Sequence, residues 1–405
     1  MTTAQRDGAT CPVGPYSWSS GDHPPMTGFQ QFDGDTLPPV FFTKDAQGYY
    51  VFTDHDVIAE GYTRPDLFSS HAMEPIQPDP PYMWIPEMLD PPEHTKWRRL
   101  LAPLFTPARA AAMKDDVRAL AVDLIDHLAS ADHCDFVTEF ANKFPTTIFL
   151  NLMGLPQSDL DTFLKWEYEA LHLNEETDPT REKSAAAMAE ITKYFVEAIA
   201  NARKSENDGK SDVIIQAVRW EIDGKPIPDA DVLSLCTLML LAGLNTVASQ
   251  LSYAFYTLAT KPELRQRIID DATVIPVAVE EFLRAHPIVQ PGRRVTQDVE
   301  FHGCPLKKGD MVLFPLAAAG RDANQYERAS EIDFDRGPFR HISFGSGPHR
   351  CLGSHLARIE LAVALEEWHN RIPNYRIAEG ESIVEHHSGV YGLNSLPLTW
   401  TRRES

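Results

Sequence analysis

The sequence predicts a mainly α-helical protein with a small β part, built as one domain. Between about 110 and 270, apolar residues recur at helical spacing almost without interruption. Neither an internal repeat nor a linker divides the 405 residues. We therefore expect a single domain over 1–405, beginning with an irregular arm at 1–40 that is rich in Gly, Pro and Ser. The short β-rich runs lie at 48–58, 293–303, 311–316 and 396–400.

One predicted helix organises the others. Residues 115–127 and 186–202 show the spacing of helices that bury a single face. The segment that starts near 229 and ends before Lys261-Pro262 is instead apolar on nearly every side through its middle, whereas a surface helix would keep a polar face. We therefore expect a buried central helix there. A last helix is predicted over about 353–370, directly after a glycine-rich loop.

Charge and cysteine content exclude several classes of protein. Lys plus Arg number 37 and Asp plus Glu 58, so the formal net charge is −21, which disfavours binding to nucleic acid or to an anionic membrane. The apolar stretch 235–244 is too short to span a bilayer, and residues 1–15 lack a secretory signal. Five cysteines, odd in number and far apart, argue against a disulfide framework. We expect a cytoplasmic protein.

The strongest chemical signal is the ten-residue segment 344–353, FGSGPHRCLG. Glycines on both sides of Cys351 suit a tight loop that approaches a flat ligand closely. The helix predicted after the loop favours a thiolate over a thiol at its N-terminus, and a thiolate is the ligand with which haem iron favours O–O cleavage. The alternative is a structural cysteine beside a turn, but the complete pattern favours the haem ligand.

The segment resembles the cysteine-ligand loop of the cytochromes P450. This resemblance implies the P450 fold around a buried haem b, with Cys351 on the iron and Phe344 beside the haem. Glu281 and Arg284 match the Glu-x-x-Arg motif of the family, in which the two side chains share one helix face and pair. The resemblance implies that this pair is structural and is joined by a second arginine, best matched by Arg336.

Four residues match the family's donors to the haem propionates. His94 and Arg98 lie four positions apart on one face of a helix that starts at the Asp-Pro-Pro-Glu segment 90–93. Arg293 and His349 match the other two donors, and cationic arginine suits a carboxylate. Taken alone, His94 and Arg98 would fit a solvated surface helix equally well. The order of the motifs favours propionate binding.

The central helix carries the family's oxygen-activation motif with one departure. Residues 242–246 match the pattern Ala/Gly-Gly-x-Asp/Glu-Thr. The resemblance implies that Gly243 leaves room above the haem and that the Thr246 hydroxyl assists dioxygen activation. Asn245 stands where the family has an acid, and an amide cannot titrate. Two interpretations remain open: an altered route of proton delivery, or a polar residue that satisfies local backbone groups.

Further matches resemble the camphor hydroxylase branch of the family and imply a pocket for a compact, apolar molecule, plausibly terpenoid. Tyr82, beside Trp84, corresponds to a tyrosine that hydrogen-bonds a substrate ketone, or else is a packed loop aromatic. Glu87 is expected to point outward, because an unpaired buried carboxylate is costly. The other predicted lining residues are Leu238, Leu241, Leu244, Val289, Val390 and Tyr391.

The resemblance implies a haem-thiolate monooxygenase that takes electrons from a [2Fe–2S] ferredoxin and its NAD(P)H-dependent reductase. Basic residues on the cysteine side of the haem, against the overall charge, are expected to attract an acidic partner: Lys96, Arg98, Arg99, Arg350 and Arg358. Two alternatives remain. Asn245 weakens proton delivery, which keeps open a peroxygenase driven by hydrogen peroxide, and a haem sensor without turnover is the third hypothesis.

Overall fold

A computed structural model describes most of the chain. The described residues are 3–6, 9–18, 22–34, 37–171, 178, 180–205, 212–387 and 389–401. Helices dominate, as predicted. The α-helices are α1 Thr27–Gln30, α2 His55–Thr63, α3 Glu93–Leu101, α4 Pro107–Ala112, α5 Lys114–Ala129, α6 Lys143–Met153, α7 Leu160–Leu171, α8 Glu182–Lys204, α9 Val213–Ala217, α10 Asp229–Thr260, α11 Pro262–Asp270, α12 Ile275–Ala285, α13 Leu316–Gly320 and α14 Ser354–Arg371.

The strands are short and form small separate sheets. The largest has the order β4-β5-β13-β10-β6, with β5 and β13 parallel. Another joins β16, β15 and β3. The strands are β1 Thr3–Arg6, β2 Ala9–Pro12, β3 Asp22–His23, β4 Val40–Thr43, β5 Tyr49–Phe52, β6 Phe68–Ser69, β7 His133–Asp135, β8 Glu221–Ile222, β9 Lys225–Pro226, β10 Gly292–Val295, β11 Val299–Phe301, β12 Cys304–Leu306, β13 Met311–Leu313, β14 Tyr375–Ile377, β15 Glu385–His386, β16 Gly392–Leu393 and β17 Pro397–Trp400.

The described residues among the first 40 form short strands within the arm that the sequence predicts as irregular. β1 and β2 form an antiparallel hairpin, and Asp22–His23 adds an edge strand to β15. The partner of Asp22–His23 lies more than 350 residues later in the sequence, so local turn composition did not reveal that strand. The Sγ atoms of Cys11 and Cys304 also meet at 2.8 Å, so separation along the sequence was a poor guide to which cysteines are neighbours.

The central helix α10 joins two hydrophobic cores. Its first half, including Leu235 and Leu240, packs in a core with α6, α8 and α9. Its second half, including Leu251 and Phe255, packs in a larger core with α14 and the sheets. The change of core falls between Leu244 and Val247, which places the polar residues between them at an internal boundary.

Helix α10 is also long and apolar enough to cross a membrane, and half of its most apolar window is buried inside the fold. Its length exceeds that of the stretch 235–244 considered from the sequence. Packing against α6 and α8 on one half and α14 on the other identifies α10 as a core helix of this fold.

Candidate active site

The cysteine loop has the shape that its glycines permit. Gly345 and Gly347 adopt left-handed φ values of 72° and 66°, and the Cys351 amide donates to the Phe344 carbonyl at 2.8 Å. At Gly347 a Cβ atom would lie 2.6 Å from the Tyr62 carbonyl oxygen. Any larger residue would therefore push the loop away from α2. The loop is followed by α14, whose N-terminus starts three residues after Cys351.

The Cys351 thiol faces an open internal space. The residue is exposed, yet the protein around its sulfur raises the pKa of the thiol by desolvation, against the Gly353 amide and the charges of Arg98 and Arg350, which lower it. Exposure combined with desolvation indicates a cleft in the protein rather than its outer surface. Arg350 is itself exposed, and its carbonyl accepts a hydrogen bond from Arg98 at 2.5 Å.

Two histidines meet beside this loop. The rings of His94 on α3 and His349 in the loop stack with centroids 3.9 Å apart. All four ring nitrogens are buried without a hydrogen-bond partner among the described residues. Burial, together with the charges of His349 and Arg98, lowers the pKa of His94 to about 3. The His94 ring is therefore neutral at pH 7 and retains one N–H for a ligand.

The prediction that Glu87 points outward is wrong, because its carboxylate joins this histidine pair. Its Oε2 lies 3.7 Å from His349 Nδ1. Burial raises the pKa of Glu87, but His349, Arg293 and His94 outweigh it and hold the carboxyl below its usual range. These basic residues offset the cost of burying the charge of Glu87. His349 and Arg293 lie far from Glu87 in the sequence, so no local pattern predicts the contact.

The two arginines predicted with these histidines lie at the same place. Arg293 is 3% exposed, donates to the Gly292 carbonyl at 2.7 Å, and sits 5.2 Å from the ring centroid of Tyr62. Arg98 and Arg293 both contribute to lowering the pKa of His94. The structure thus brings His94, Arg98, Arg293 and His349 together into one basic cluster.

The middle of α10 turns an open face toward this side of the molecule. Ala242 is exposed, while Leu238 and Thr246, one turn to either side, are half-buried. The Thr246 hydroxyl donates to the Ala242 carbonyl at 2.8 Å. Sequence analysis missed Ala242 as a lining residue, although its i, i+4 relation to Leu238 and Thr246 is a signal for it. Gly243 packs near Phe149, where a Cβ atom would lie at 3.2 Å.

The Asn245 side chain is buried and bonds to the next turn of α10. It is 6% exposed, and its Oδ1 accepts a hydrogen bond from the Ser249 hydroxyl at 2.7 Å. The hydrogen bond described here joins Asn245 to a side chain and not to the backbone, so both interpretations of this position stay open.

The predicted substrate residues divide into two groups. Tyr82 stacks on Trp84 at 4.5 Å and its hydroxyl donates to Gln77 Oε1 at 3.3 Å. Val289 and Val390, which form an isolated β-bridge, are half-buried and pack against the larger core. Leu241 is 9% exposed at the edge of its core.

Leu244 and Tyr391 are closed off and do not line an open pocket. Leu244 is 2% exposed inside the core of α6, α8 and α9, because its side chain lies on the opposite side of α10 from Ala242. Tyr391 is 1% exposed, and its hydroxyl meets that of Tyr16 at 3.1 Å. Both predictions as pocket residues are corrected by this burial.

Glu281 and Arg284, the pair of the Glu-x-x-Arg motif, form the centre of a buried ion network. Arg284 Nε and Nη2 each donate to Glu281 at 2.8 Å, and both side chains are fully buried. Arg336 Nε adds a contact to Glu281 Oε1 at 3.0 Å. Arg284 also donates to the carbonyls of Gly320, Ala329 and Glu331. The network fastens α12 to the segment that precedes the cysteine loop.

Comparison with known proteins decides the family. The cytochrome P450 family model matches residues 87–368. The chain is a cytochrome P450. It is 34% identical over 372 residues to the probable cytochrome P450 127A1 of Sinorhizobium fredii, covering 90% of this chain and 88% of that protein. It is 32% identical to pentalenic acid synthase of Streptomyces avermitilis, with 77% of each chain covered.

The crystal structure of CYP101J2, a P450 of the camphor-type branch, is similar throughout. It aligns with a TM-score of 0.85 at 28% identity, covering 98% of this P450 and 100% of that chain. The predicted family, fold and resemblance to the camphor-type branch are therefore confirmed, and the protein is a P450 monooxygenase. Redox partners follow in general terms from the family.

The residues of this P450 fit haem b, the cofactor of the family. Cys351 presents a thiol to an internal cleft, and the buried, unpartnered nitrogens of His94 and His349 are donors of the kind that carboxylates require. Cys351 would hold the iron. His94, Arg98, Arg293 and His349 would hold the propionates, while Phe344, stacked on Arg358 at 4.6 Å, and Gly243 would border the haem.

Proposed function

We propose that this P450 hydroxylates a compact, apolar terpenoid carrying one polar oxygen. The observation that carries the proposal is an apolar surface with a single phenol. Leu238, Val289 and Val390 are half-buried, and the Tyr82 hydroxyl bonds only weakly to Gln77 at 3.3 Å. Such a surface binds by apolar contact, and one hydroxyl orients the ligand. Bound haem b supplies dioxygen activation and the insertion of oxygen into a C–H bond.

The residues of the chain divide the remaining work. Ala242 leaves space where a larger side chain would fill the face of α10, and Trp84 supports the Tyr82 ring. The loop that carries Tyr82 and Trp84 is tied to α10, because the Ile85 amide donates to Ser234 Oγ at 3.0 Å. The position of the phenol is therefore coupled to the central helix.

A binding screen tests the substrate class. Small terpenoid ketones, alcohols and phenols are added to the haem-loaded protein, and the low-spin to high-spin shift of the Soret band is recorded. Terpenoid ketones should shift the spectrum at low concentration, and a matched set of charged molecules of equal size should not. Tighter binding of the charged set, or of long-chain fatty acids, would overturn the proposal.

We propose a [2Fe–2S] ferredoxin, with its NAD(P)H-dependent reductase, as the electron donor. Arg99 and Arg350 are exposed on the cysteine side. Two of the five predicted basic residues are already paired: Lys96 with Glu93 and Asp223, and Arg358 with Glu280. The attraction for an acidic partner should therefore come mainly from Arg99 and Arg350, with Arg98 directed at the Arg350 carbonyl.

Electron-transfer kinetics test this surface. The rate should fall as salt screens the charges, and Arg350→Glu should reduce it more than Lys96→Glu. Arg376→Glu, at an exposed site on β14, is the matched control. A rate that ignores both ionic strength and Arg350→Glu would contradict the proposed ferredoxin surface.

Asn245 favours a second candidate, a peroxygenase. A peroxide-driven reaction brings its own protons and needs no acid at position 245. A haem sensor is the third candidate, and Thr246 at the open face of α10 disfavours it. Substrate-dependent NADH consumption with a ferredoxin system supports the monooxygenase, product formation with hydrogen peroxide alone supports the peroxygenase, and binding without product in either assay supports the sensor.

We also propose a cytoplasmic location. The support is the core position of α10 and a net charge of −21 that disfavours anionic membranes. Cell fractionation tests it: recovery of the protein with washed membranes would contradict this location.

A further inference from the structure

We propose that protons reach the oxygen-binding side of α10 through His386 and Ser249, with Asn245 holding the serine in place. This replaces the acid that position 245 lacks. The proposal rests on dioxygen-dependent turnover, since a peroxide-driven reaction has no need of it.

The inner end of the path is a polar stripe on α10. Asn245, Ser249 and Tyr253 follow each other at i, i+4 spacing on the face that packs against β16. Ser249 is 5% exposed and donates to Asn245 Oδ1 at 2.7 Å. A buried hydroxyl with a fixed acceptor has a defined orientation, and Asn245 adjoins Thr246. The stripe therefore leads toward the open face of the helix.

The next member comes from the hairpin β15–β16. A Cβ atom at Gly392 would lie 2.7 Å from His386 Nε2 and 2.9 Å from Ser249 Oγ. The imidazole nitrogen and the hydroxyl thus border the same point, no farther apart than one bridging water spans. Gly392 keeps this space open, because any side chain there would displace His386.

The outer end reaches solvent. His386 Nδ1 lies 2.7 Å from Asn394 Oδ1. An amide oxygen only accepts, so Nδ1 carries a hydrogen and Nε2 faces Ser249. His386 is half-buried and Asn394 is exposed. An imidazole placed between solvent and Ser249 can therefore collect a proton from water and present it inward from Nε2.

Each transfer leaves the chain unchanged. The Nε2–H bond of the imidazolium breaks as the proton passes to Ser249 Oγ, directly or through a bridging water. In the same transfer the Ser249 hydroxyl turns from Asn245 Oδ1 and its O–H bond breaks, as its own proton passes to a water molecule on the Thr246 side of α10. Neutral His386 then takes a new proton from solvent. Asn245 is a positioning residue: its amide does not titrate, and its oxygen holds the hydroxyl between transfers.

Neither Asp231 nor Glu87 can take this role. Asp231 lies fourteen residues earlier on α10, about 21 Å away at about 1.5 Å per residue. Glu87 lies 3.7 Å from His349 in the basic cluster. Among the described residues, the titratable neighbours of His386 include Asp22, its register partner on β3, and Glu385 and His387 on its own chain segment. Glu385 Oε1 accepts from the Gly28 amide and contacts His387, and this carboxylate also interacts with Tyr253, one turn beyond Ser249 on α10.

Nitrogen NMR tests the contact without turnover. The imidazole signals of His386, assigned by their loss in His386→Gln, should show Nδ1–H at neutral pH. Ser249→Ala should move the Nε2 shift and the titration midpoint of His386, whereas Ser130→Ala, at an exposed helix end, should not. If Ser249→Ala leaves both unchanged, His386 and Ser249 are not in contact and the path does not exist.

Turnover then tests its use. General acid catalysis contributes about 10²–10⁴-fold, so His386→Gln and Ser249→Ala should each slow substrate-dependent oxygen consumption at least about tenfold and change the solvent deuterium isotope effect. Asn245→Asp should restore the rate of His386→Gln, because it supplies an acid of its own. His302→Gln, an exposed histidine on another hairpin, should behave as the parent does.

The outcomes separate a failure of dioxygen-dependent turnover from a failure of the proton path. If the parent consumes no oxygen with any ferredoxin system, the dioxygen-dependent function fails, while NMR still decides the contact. If the parent turns over and both variants match it in rate and isotope effect, the proton path is refuted.

Discussion

Replacing Glu281 by glutamine should destabilise this P450 more than any surface charge change. Glu281 Oε1 accepts hydrogen bonds from Arg284, Arg336 and the Asp333 amide, and Oε2 accepts from Arg284. An amide has one oxygen, so its NH2 group would face an arginine donor. The Arg284 side chain is 0% exposed to solvent, and in this variant its charge would have no counter-ion at hydrogen-bond distance.

The size of the effect follows from this burial. Breaking a buried ion pair by removing one partner costs about 3–5 kcal/mol. Glu379→Gln is the control: Glu379 pairs with Arg376 at 3.0 Å, but the two side chains are 91% and 63% exposed, and such pairs contribute about 0–1 kcal/mol. Urea unfolding of the haem-loaded protein, followed by circular dichroism and by the Soret band, measures both.

A double variant separates the unpaired charge from the lost contacts. Glu281→Gln combined with Arg284→Met removes the buried charge, so it should recover part of the lost stability. Loss of less than about 1 kcal/mol in the single variant, or a double variant that is simply the sum of two losses, would refute the reasoning.

Three further predictions concern the cofactor, the substrate and pH. Cys351→Ala should abolish the long-wavelength Soret band of the reduced, carbon monoxide-treated protein, while Cys134→Ala keeps it; a band that survives in the first variant rules out thiolate ligation by Cys351. Tyr82→Phe should weaken binding of oxygenated substrates by about 0.5–1.5 kcal/mol and broaden regioselectivity, while Gln77→Leu leaves affinity equal or higher; unchanged affinity and products in Tyr82→Phe would make the ring packing only. Burial raises the pKa of Glu360 to about 8, so the folded state holds this proton more tightly than the unfolded one, and the unfolding free energy should fall as pH rises from about 5 to about 8, by up to about 1.4 kcal/mol per pKa unit. Glu360→Gln should flatten that fall, and identical pH profiles for the two proteins would contradict the assignment.

Motifs of fixed spacing made much of the site predictable. Cys351, the Glu281–Arg284 pair and the region around Thr246 each keep their chemistry within one loop or one helix, so local sequence determines their geometry. Helix α10, predicted to start near 229 and to end before 261 and found at Asp229–Thr260, was predictable because its middle is apolar on nearly every side.

The same property made the orientation of α10 unpredictable. A helix without a polar face gives no indication of which side meets the pocket, and Leu244 was assigned to the wrong side while Ala242 was missed. The prediction that Glu87 points outward was wrong for another reason. Its burial is compensated by His349 and Arg293, residues far away in sequence that no local pattern connects to it.

The curvature of the cysteine loop has a consequence for protein engineering. Gly347 fits only because the backbone of α2 at Tyr62 and Thr63 passes close by, with the Thr63 Cα atom 3.0 Å from where a Cβ would stand. The conformation of residues 344–353 thus depends on packing against the C-terminal end of α2, which lies about 280 residues earlier in the sequence. Grafted alone onto a foreign scaffold, the loop would lose this contact, so a transplanted thiolate site must include the end of α2.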